Sequence, residues 1–529
     1  MLLSRRAVLA AALAAPGLAA PSIARAQGSR VLRFIPHADL STLDPHWNTA
    51  YVTRNHGFMV FDTLYGTDSQ YRATPQMVDG HTTEGDGLRW TLTLRDGLRF
   101  HDNEPVLARD CVASIKRWGA KDTFGQALLA ATDDLSADGD KRIVFRLRRP
   151  FPLLPDALAK SGVYMPAMMP ERLARTDPGT QVTEMVGSGP FRFLPDERLA
   201  GARVAYARFE GYAPRPSGTT DRTSGPKVVH VDRVEWTTVP DAATAAAALQ
   251  RGETDWWDYA SADLLPLLRR NTAIKTEIQD PAGQMALFRM NHGQPPFNNP
   301  AIRRAVLGMV DQADYMTAIM GSDTTLWRTG AGVFTPGTPL ANDAGMDALA
   351  RPRDPAQSRR ALAEAGYNNE PVALVVPTDF PNLKALADVG ADMMRRGGLN
   401  VDYQATDWGT LLTRRAKTGP VSEGGWSCFF TFAAGLDQAT PAAHLMLRAN
   451  GPKAWFGWPE DAAIEELRDR WFSAADLPAQ QAIARQLQAR AFETVPFVPL
   501  GQYFQPTAYR TSLSGVLSGF SMFWNVRKA

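Results

Sequence analysis

Strand patterns and helix patterns alternate along nearly the whole of this chain. Within residues 88–95, Trp90, Leu92 and Leu94 share one face and polar side chains share the other, which is typical of a half-buried strand. Residues 108–118 then follow a helical pattern. This alternation predicts an α/β fold. Because 529 residues are too many for one hydrophobic core, we expect two or three lobes.

The alternation continues toward the C-terminus. Further strands are predicted in four stretches, residues 143–147, 228–236, 372–377 and 495–500. Prolines in the last of these favour an edge strand or a connection. Helices are predicted to begin after three N-cap residues, Asp241, Asn299 and Asp354. The first of them should end at Gly252, and the apolar face of the second continues to Val310.

Composition and motifs exclude several classes of protein. Lys and Arg total 57 against 55 Asp and Glu, so nothing in the charge favours a nucleic-acid partner. The chain has no Gly-x-x-x-x-Gly-Lys loop for ATP and no His-Glu-x-x-His, Cys-x-x-Cys or Gly-x-Ser-x-Gly motif. Its eight histidines follow no metal-ligand spacing. We therefore expect no catalytic residues, no metal and no cofactor.

The first 26 residues have the features of a cleaved export signal. They contain Arg5, Arg6 and Arg25 but no acidic residue, and residues 4–9 resemble a twin-arginine signal. An Ala-rich stretch follows, and residues 24–26 (Ala-Arg-Ala) fit a cleavage site. We expect a periplasmic protein. Export by the Sec route is an alternative, as is an N-terminal amphipathic helix that stays in the mature protein.

Seven stretches, in one order, resemble the extracytoplasmic solute-binding proteins, family 5, of the peptide/nickel/opine class of ABC importers. The longest, residues 90–118, contains a strand, an Arg-Asp-Gly turn, Phe-His-Asp and a helix. The others are residues 41–45 (STLDP), 60–65 (VFDTLY), 187–191 (GSGPF), 247–255 (AALQRGETD), 295–311 and 354–367. Together they span essentially the whole chain after the export signal.

The resemblance implies a type II-like periplasmic binding protein with two α/β lobes. Lobe I should comprise residues 28–283 and 502–529, with an extra subdomain at about 80–186. Lobe II should comprise residues 284–501. The segment Pro281-Ala282-Gly283 is a candidate hinge.

The resemblance also implies the substrate-binding component of an ABC transporter rather than an enzyme. Such a receptor captures a peptide-class or other small organic solute by lobe closure and delivers it to the membrane permease, and we expect a monomer. One alternative is a nickel or metal-chelate receptor, for which His46 is the candidate ligand. Another is a periplasmic hydrolase that uses Ser427, Cys428 and His46.

The site of the family's amine-binding carboxylate differs in this chain. Peptide binders of the family hold the free α-amine with an Asp just beyond a Gly-Trp pair. After Trp426 the matching place holds Cys428 or Phe429, and the nearest acid is Asp437. An ammonium buried against Phe429 would be unpaired and costly, which puts ordinary peptides in doubt. The alternative is that Asp437 or another acid reaches the cleft.

Aromatic and amide side chains complete the set of candidate ligand-binding residues. Trp47, Trp408 and Trp426 are either cleft or core residues. Asn291 ends a predicted strand near the hinge, where it contacts ligand or only satisfies backbone groups. The remaining candidates are neighbours of these residues, His46, Asn48, Ser427, Cys428, Phe429 and Asp437. Aromatic surroundings would suit an apolar or aromatic solute, a modified peptide, or a cation held by cation–π contact.

The two cysteines should be unpaired. The resemblance puts Cys111 on a helix of the extra subdomain and Cys428 in lobe II. A disulfide between them would bridge distant elements and lock the hinge, so we expect two free thiols.

Overall fold

The computed structural model describes residues 30–350, 353–474 and 476–529, so the predicted export signal lies outside the described residues. The strands are β1 (Val31–Ile35), β2 (Tyr65–Thr67), β3 (Ala73–Pro75), β4 (Val78–Glu84), β5 (Arg89–Leu94), β6 (Thr132–Asp138), β7 (Arg142–Leu147), β8 (Phe191–Phe193), β9 (Arg203–Arg208), β10 (Arg233–Thr237), β11 (Trp256–Trp257), β12 (Ile274–Ile278), β13 (Gln284–Met290), β14 (Trp327–Arg328), β15 (Val372–Pro377), β16 (Val401–Thr406), β17 (Cys428–Ala434), β18 (Val498–Tyr503), β19 (Pro506–Arg510), β20 (Leu513–Ser514) and β21 (Arg527–Lys528).

The helices lie between runs of these strands. They are α1 (Tyr51–Val60), α2 (Ala108–Gly119), α3 (Thr123–Ala131), α4 (Leu154–Leu158), α5 (Glu171–Ala174), α6 (Ala242–Arg251), α7 (Leu265–Leu268), α8 (Pro300–Leu307), α9 (Gln312–Met320), α10 (Asp347–Ala350), α11 (Pro355–Glu364), α12 (Pro381–Gly397), α13 (Trp408–Arg414), α14 (Ala462–Phe472) and α15 (Leu477–Thr494). No helix among the described residues is long and apolar enough to cross a membrane.

Two large sheets organise the molecule. One has seven strands in the order β12-β19-β11-β1-β10-β9-β8, and we call the part built on it lobe I. Its aromatic core joins distant parts of the sequence, because Phe34 packs edge-on against both Trp256 and Phe523. The other sheet has six strands in the order β14-β18-β13-β17-β15-β16 and forms the centre of lobe II. The α/β fold predicted from the alternating patterns is therefore confirmed.

A third, four-stranded sheet packs beside lobe I. Its order is β4-β5-β7-β6, and all neighbouring strands are antiparallel. The helices α2 and α3 lie against it. This sheet falls within the stretch where the sequence predicts an extra subdomain, whose bounds stay a prediction, as do the lobe bounds 283/284 and 501/502.

The chain passes between the two lobes twice. It leaves the seven-stranded sheet at the end of β12, enters the six-stranded sheet at β13, and returns between β18 and β19. The two crossings lie side by side, because Gln284 pairs with Tyr503. Gly283 has a φ of 62°, and a Cβ there would lie 2.7 Å from the carbonyl oxygen of Tyr503. Only glycine fits this close approach without strain.

The predicted helix starts are present in the structure. The side chains of Asp241, Asn299 and Asp354 each accept a hydrogen bond from a backbone N–H of the first turn. The helix after Asn299 ends at Leu307, before the apolar pattern does, and the chain turns at Gly308.

Two predicted strands differ from the structure in extent or place. The strand predicted over residues 228–236 begins only at Arg233, because residue 228 is held by the C-terminal segment, where the Asn525 N–H donates to the Val228 carbonyl. The last predicted strand, residues 495–500, is β18 (Val498–Tyr503) in the structure. Its neighbour β14 pairs only with Gln502 and Tyr503, so over the predicted residues β18 has a strand on one side alone, as its prolines indicate. Its Pro499 pairs with Leu287 on one side and faces no strand on the other, which is how the sheet tolerates the proline.

Candidate functional site

A cavity lies between the two lobes, with an empty volume of about 540 Å³ that includes space open to solvent. We call it the inner cavity. Lobe I contributes the turn after β1 and the start of α1, and lobe II contributes the second half of β17 and the first residue of α13. The side chains used below are His37, Thr49, Tyr51, Phe380, Trp408, Arg415, Phe432, Asp437 and Trp455.

Two of these side chains meet across the cleft. The Tyr51 hydroxyl of α1 donates to Oδ2 of Asp437 over 2.7 Å and accepts a hydrogen bond from the Ala434 N–H. Burial raises the pKa of Asp437 above its usual range, and no described cationic group forms an ion pair with it. Asp437 is thus a buried carboxylate that faces the cavity with a neutral donor as its partner.

A larger space adjoins the inner cavity, and the two share the lining residues Arg415, Leu445 and Trp455. We call this space the outer chamber; its volume is about 1920 Å³, including open solvent. Trp47, Lys121 and Tyr164 line it from lobe I. Lys453 and Trp458 line it from lobe II.

Arg415 lies at the junction of the two spaces and lines both. Its side chain is buried, at 4% exposure, and crosses to lobe I. There its Nη2 donates to Oδ1 of Asn48 over 3.2 Å and to Oγ1 of Thr49 over 2.9 Å. The guanidinium lies over the rings of Trp455 and Phe456, at 5.2 and 4.7 Å from their centroids.

The surroundings of Arg415 fix its position. Asp407 caps α13, and Arg415 is the residue at which this helix ends. The indole Nε1 of Trp426 donates to the Arg415 carbonyl over 3.1 Å. On the other side, the guanidinium of Arg289 donates to the carbonyls of Trp455 and Phe456, and so holds the segment that carries the two aromatic rings.

Further hydrogen bonds join the lobes beyond the cavity. Thr123 of α3 donates to the Ala442 carbonyl over 2.8 Å, and Arg448 donates to Oε1 of Gln126 over 2.7 Å. Together with the contacts of Tyr51 and Arg415, they describe a closed cleft.

Four residues predicted from the sequence line these spaces. Trp47 and Asn48 line the outer chamber, and Asp437 and Trp408 line the inner cavity. The indole N–H of Trp408 is buried and has no partner among the described residues. These four stay candidates for ligand contact.

Three predicted residues lie in the interior instead. His46 is fully buried, and its Nε2 accepts a hydrogen bond from the Ala167 N–H over 3.1 Å. Asn291 serves the backbone, because its side chain bonds to the Trp426 carbonyl and the Gly293 N–H. Trp426 lines neither space, and its indole N–H bonds to the Arg415 carbonyl.

The remaining three predicted residues also line neither space. The Ser427 hydroxyl accepts from the Ala373 N–H over 3.0 Å. Phe429 packs between the rings of Trp426 and Trp455. Cys428 is a buried, unpaired thiol, as is Cys111. The place just beyond Trp426, where the resemblance puts an amine-binding carboxylate, is thus apolar core, and whether Asp437 takes that role stays a prediction.

Several cavity residues escaped the sequence analysis, among them Tyr51, His37 and Arg415. Nδ1 of His37 donates to Oδ2 of Asp258 over 2.5 Å, and its ring stacks on Tyr259. No motif surrounds any of the three. Among the described residues, no group of three or more His, Cys, Asp or Glu side chains is arranged to hold a metal.

Comparison with known proteins gives consistent matches. The family model for bacterial extracellular solute-binding proteins, family 5 Middle, matches residues 72–434. The probable peptide ABC transporter periplasmic-binding protein y4tO of Sinorhizobium fredii is 37% identical over 537 residues, with 100% of both chains covered.

Solved structures share the fold. The oligopeptide-binding protein AppA of Bacillus subtilis, in complex with a nonapeptide, has a TM-score of 0.78 at 16% identity and covers 94% of this chain and 99% of its own. AgaA of A. tumefaciens R10, in complex with agropinic acid, has a TM-score of 0.77 at 19% identity, with coverage of 94% and 99%. Both matches cover 94% of this chain, so the likeness in fold extends across both lobes.

Proposed function

Because this chain belongs to the bacterial extracellular solute-binding proteins, family 5, and is the substrate-binding component of an ABC transporter, we propose that its closed cleft captures one peptide-class or other small organic solute. The proposal includes a monomeric receptor that is exported to the periplasm by its first 26 residues. The receptor then delivers the solute to the permease in the membrane. The relatives bind a nonapeptide in one case and agropinic acid in another, so the family accommodates solutes of different size.

The observation that carries the proposal is the set of hydrogen bonds that close the lobes around the inner cavity. Tyr51, Arg415 and Thr123 each bond across the cleft. A solute that contacts both lobes adds its own contacts only in this closed state, so it shifts the population toward closure. Closure also excludes water and strengthens the polar contacts of the solute.

The contacts of His46 and Ser427 favour this function over the two alternatives. A metal-chelate receptor would use His46 at the cleft mouth, but His46 is enclosed by the protein and bonded to Ala167. A hydrolase would need Ser427, Cys428 and His46 to face a substrate, and none of them lines the inner cavity or the outer chamber. We therefore propose a receptor without catalytic activity.

A distance measurement between the lobes tests the proposal. Leu199 of lobe I and Leu477 of lobe II are 58% and 46% exposed, so Leu199→Cys and Leu477→Cys give labelling positions while the two native thiols are buried.

Protein stripped of solute by unfolding and refolding is screened with di- to pentapeptides, sugars, aromatic acids, quaternary amines and nickel chelates. At about 100 times its dissociation constant, a true ligand should stabilise the fold by about 2.7 kcal/mol.

The expected result is that the same solutes raise the unfolding temperature and shorten the label distance. A solute that stabilises without changing the distance would count against capture by closure. Turnover of ester substrates that is lost in Ser427→Ala or Cys428→Ala would favour the hydrolase instead.

A further inference from the structure

We infer that the cleft selects an anionic organic solute and that Arg415 holds its carboxylate at the junction of the inner cavity and the outer chamber. This inference rests on the proposed function and names the class of solute that the receptor takes. It is based on the guanidinium N–H groups of Arg415 that have no acceptor among the described residues.

The guanidinium of Arg415 is only partly satisfied by the protein. Both of its protein acceptors, on Asn48 and Thr49, are taken by Nη2. Its Nε is buried and without a partner among the described residues, and Nη1 makes no hydrogen bond to them either. A buried cation with free donors is costly unless an acceptor arrives.

Arg289 shows what a structural arginine looks like in the same lobe. It is also fully buried without a carboxylate, but its three guanidinium nitrogens donate to four backbone carbonyls. Nothing in its surroundings calls for a ligand. Arg415 differs because its free N–H groups belong to a side chain that lines both the inner cavity and the outer chamber.

The outer chamber has one sign of charge. Its basic lining residues are Lys121, Arg415, Arg448 and Lys453, and no described Asp or Glu lines it. Arg448 is paired with Glu465 behind the lining, at 3.0 Å, whereas neither lysine forms an ion pair with a described carboxylate. A cleft lined by one sign of charge attracts solutes of the opposite sign.

The aromatic side chains do not make this a site for cations. The rings of Trp455 and Phe456 already carry the guanidinium of Arg415, so those two faces are not free to hold a ligand cation. Trp47 and Trp458 remain as surfaces in the outer chamber against which a flat or apolar part of the solute can pack. The solute class is thus a carboxylate with an apolar or planar body.

Matched acid–amide pairs test this inference. The probes are an N-acetylated dipeptide, an N-acetylated tripeptide and an aromatic acid, each as the free carboxylate and as the carboxamide. Titration calorimetry on the stripped protein should show the carboxylate binding at least tenfold more tightly than its amide. The difference should shrink as salt is added, because screening weakens attraction between charges.

Arg415→Met should remove the preference, so that acid and amide bind equally. Arg415→Lys should keep part of it, because a lysine retains the charge without the planar fork. Lys417→Met is the matched control, because Lys417 is exposed two residues away and lines neither space. It should leave the preference unchanged. Circular dichroism and thermal unfolding confirm that each variant folds.

The possible outcomes distinguish an Arg415 that binds the solute's carboxylate from an Arg415 that only stabilises the closed lobes. If Arg415 only holds the lobes together, Arg415→Met weakens acid and amide equally and their ratio stays as in the wild type, which overturns the inference. Neutral or cationic solutes that close the lobes as well as acids do would also overturn it, while the proposed function would stand. If no solute changes the label distance between the lobes, the proposed function and this inference both fail.

Discussion

The hydroxyl of Tyr51, at the start of a lobe I helix, donates to Oδ2 of Asp437 in lobe II over 2.7 Å, so one short contact spans the cleft between residues 386 positions apart. The same hydroxyl also accepts from the Ala434 N–H. Both partners in lobe II are buried. Because this contact joins the two lobes, we expect it to break when they open.

Tyr51→Phe should shift the protein toward the open form. It removes the cross-cleft donor and leaves the Asp437 carboxylate and the Ala434 N–H without a partner when the lobes close, at a cost of about 1–3 kcal/mol for an unsatisfied buried group. We expect a longer mean distance between the lobe labels and roughly a fivefold to hundredfold weaker affinity. Tyr403→Phe is the control, because that hydroxyl makes a bond of the same 2.7 Å length to Asp388 within lobe II. If Tyr51→Phe and Tyr403→Phe had equal effects, the Tyr51 hydroxyl would not be what stabilises the closed state.

Gly162→Ala should block full closure without affecting the separate lobes. A Cβ at Gly162 would overlap Oδ1 of Asp437 from the opposite lobe, while the backbone φ of Gly162 is not in the left-handed region. We therefore expect a near-normal unfolding temperature without solute and a strongly reduced stabilisation by solute. Gly80→Ala provides the comparison, because nothing lies within 4 Å of a Cβ there. If the Gly162→Ala variant closed as the wild type does, Gly162 and Asp437 would not be in contact in the solute-bound closed state.

Stability should fall as the pH drops from 7 toward 4. Burial lowers the pKa of His46 to about 4, against about 6.5 in an unfolded chain, and lowers those of His101 and His444 to a similar value. Between these two pKa values the unfolded chain binds protons that the folded chain does not. Stability is thus fully present above pH 6.5 and is lost as the pH falls, by about 3 kcal/mol for each such histidine.

His46→Gln isolates one of these contributions. Gln retains an oxygen to accept from the Ala167 N–H but does not titrate, so the free energy of unfolding should depend less steeply on pH between 6.5 and 4. Urea unfolding at a series of pH values measures the slope. An unchanged slope would mean that His46 is already charged, or solvated, in the folded protein.

Both thiols should be unpaired but unreactive in the folded protein, because they are buried. Burial raises the pKa of Cys111 and of Cys428, so neither is available as a thiolate in the native protein. A thiol reagent should therefore find none in the folded protein and two after unfolding without reductant. If unfolding without reductant exposed no reactive thiol, the two cysteines would be joined.

Local signals predicted much of the fold. Asp241, Asn299 and Asp354 are caps in the structure because capping depends only on residues within one helical turn. The family blocks predicted the two-lobed architecture. The strand expected from residue 228 failed at its start because the C-terminal segment competes for that backbone, a contact between residues nearly 300 positions apart.

The candidate site was less predictable, and β17 shows the reason. All seven of its residues are buried, so the sequence does not distinguish the face toward the cleft from the face toward the core. Phe429 and Cys428 lie in the core, whereas Phe432 reaches the inner cavity. Arg415 was missed because it follows Arg414 at the end of a short helix, where a pair of arginines resembles an ordinary solvated terminus.

The two chain crossings, paired at Gln284 and Tyr503, have a mechanical consequence. Because the two crossing segments are bonded to each other, they resist sliding and twisting against one another. They can still bend together. We therefore expect opening to be close to a rotation about one axis, with Gly283 near that axis. A permease that senses this angle can distinguish a loaded receptor from an empty one without touching the solute.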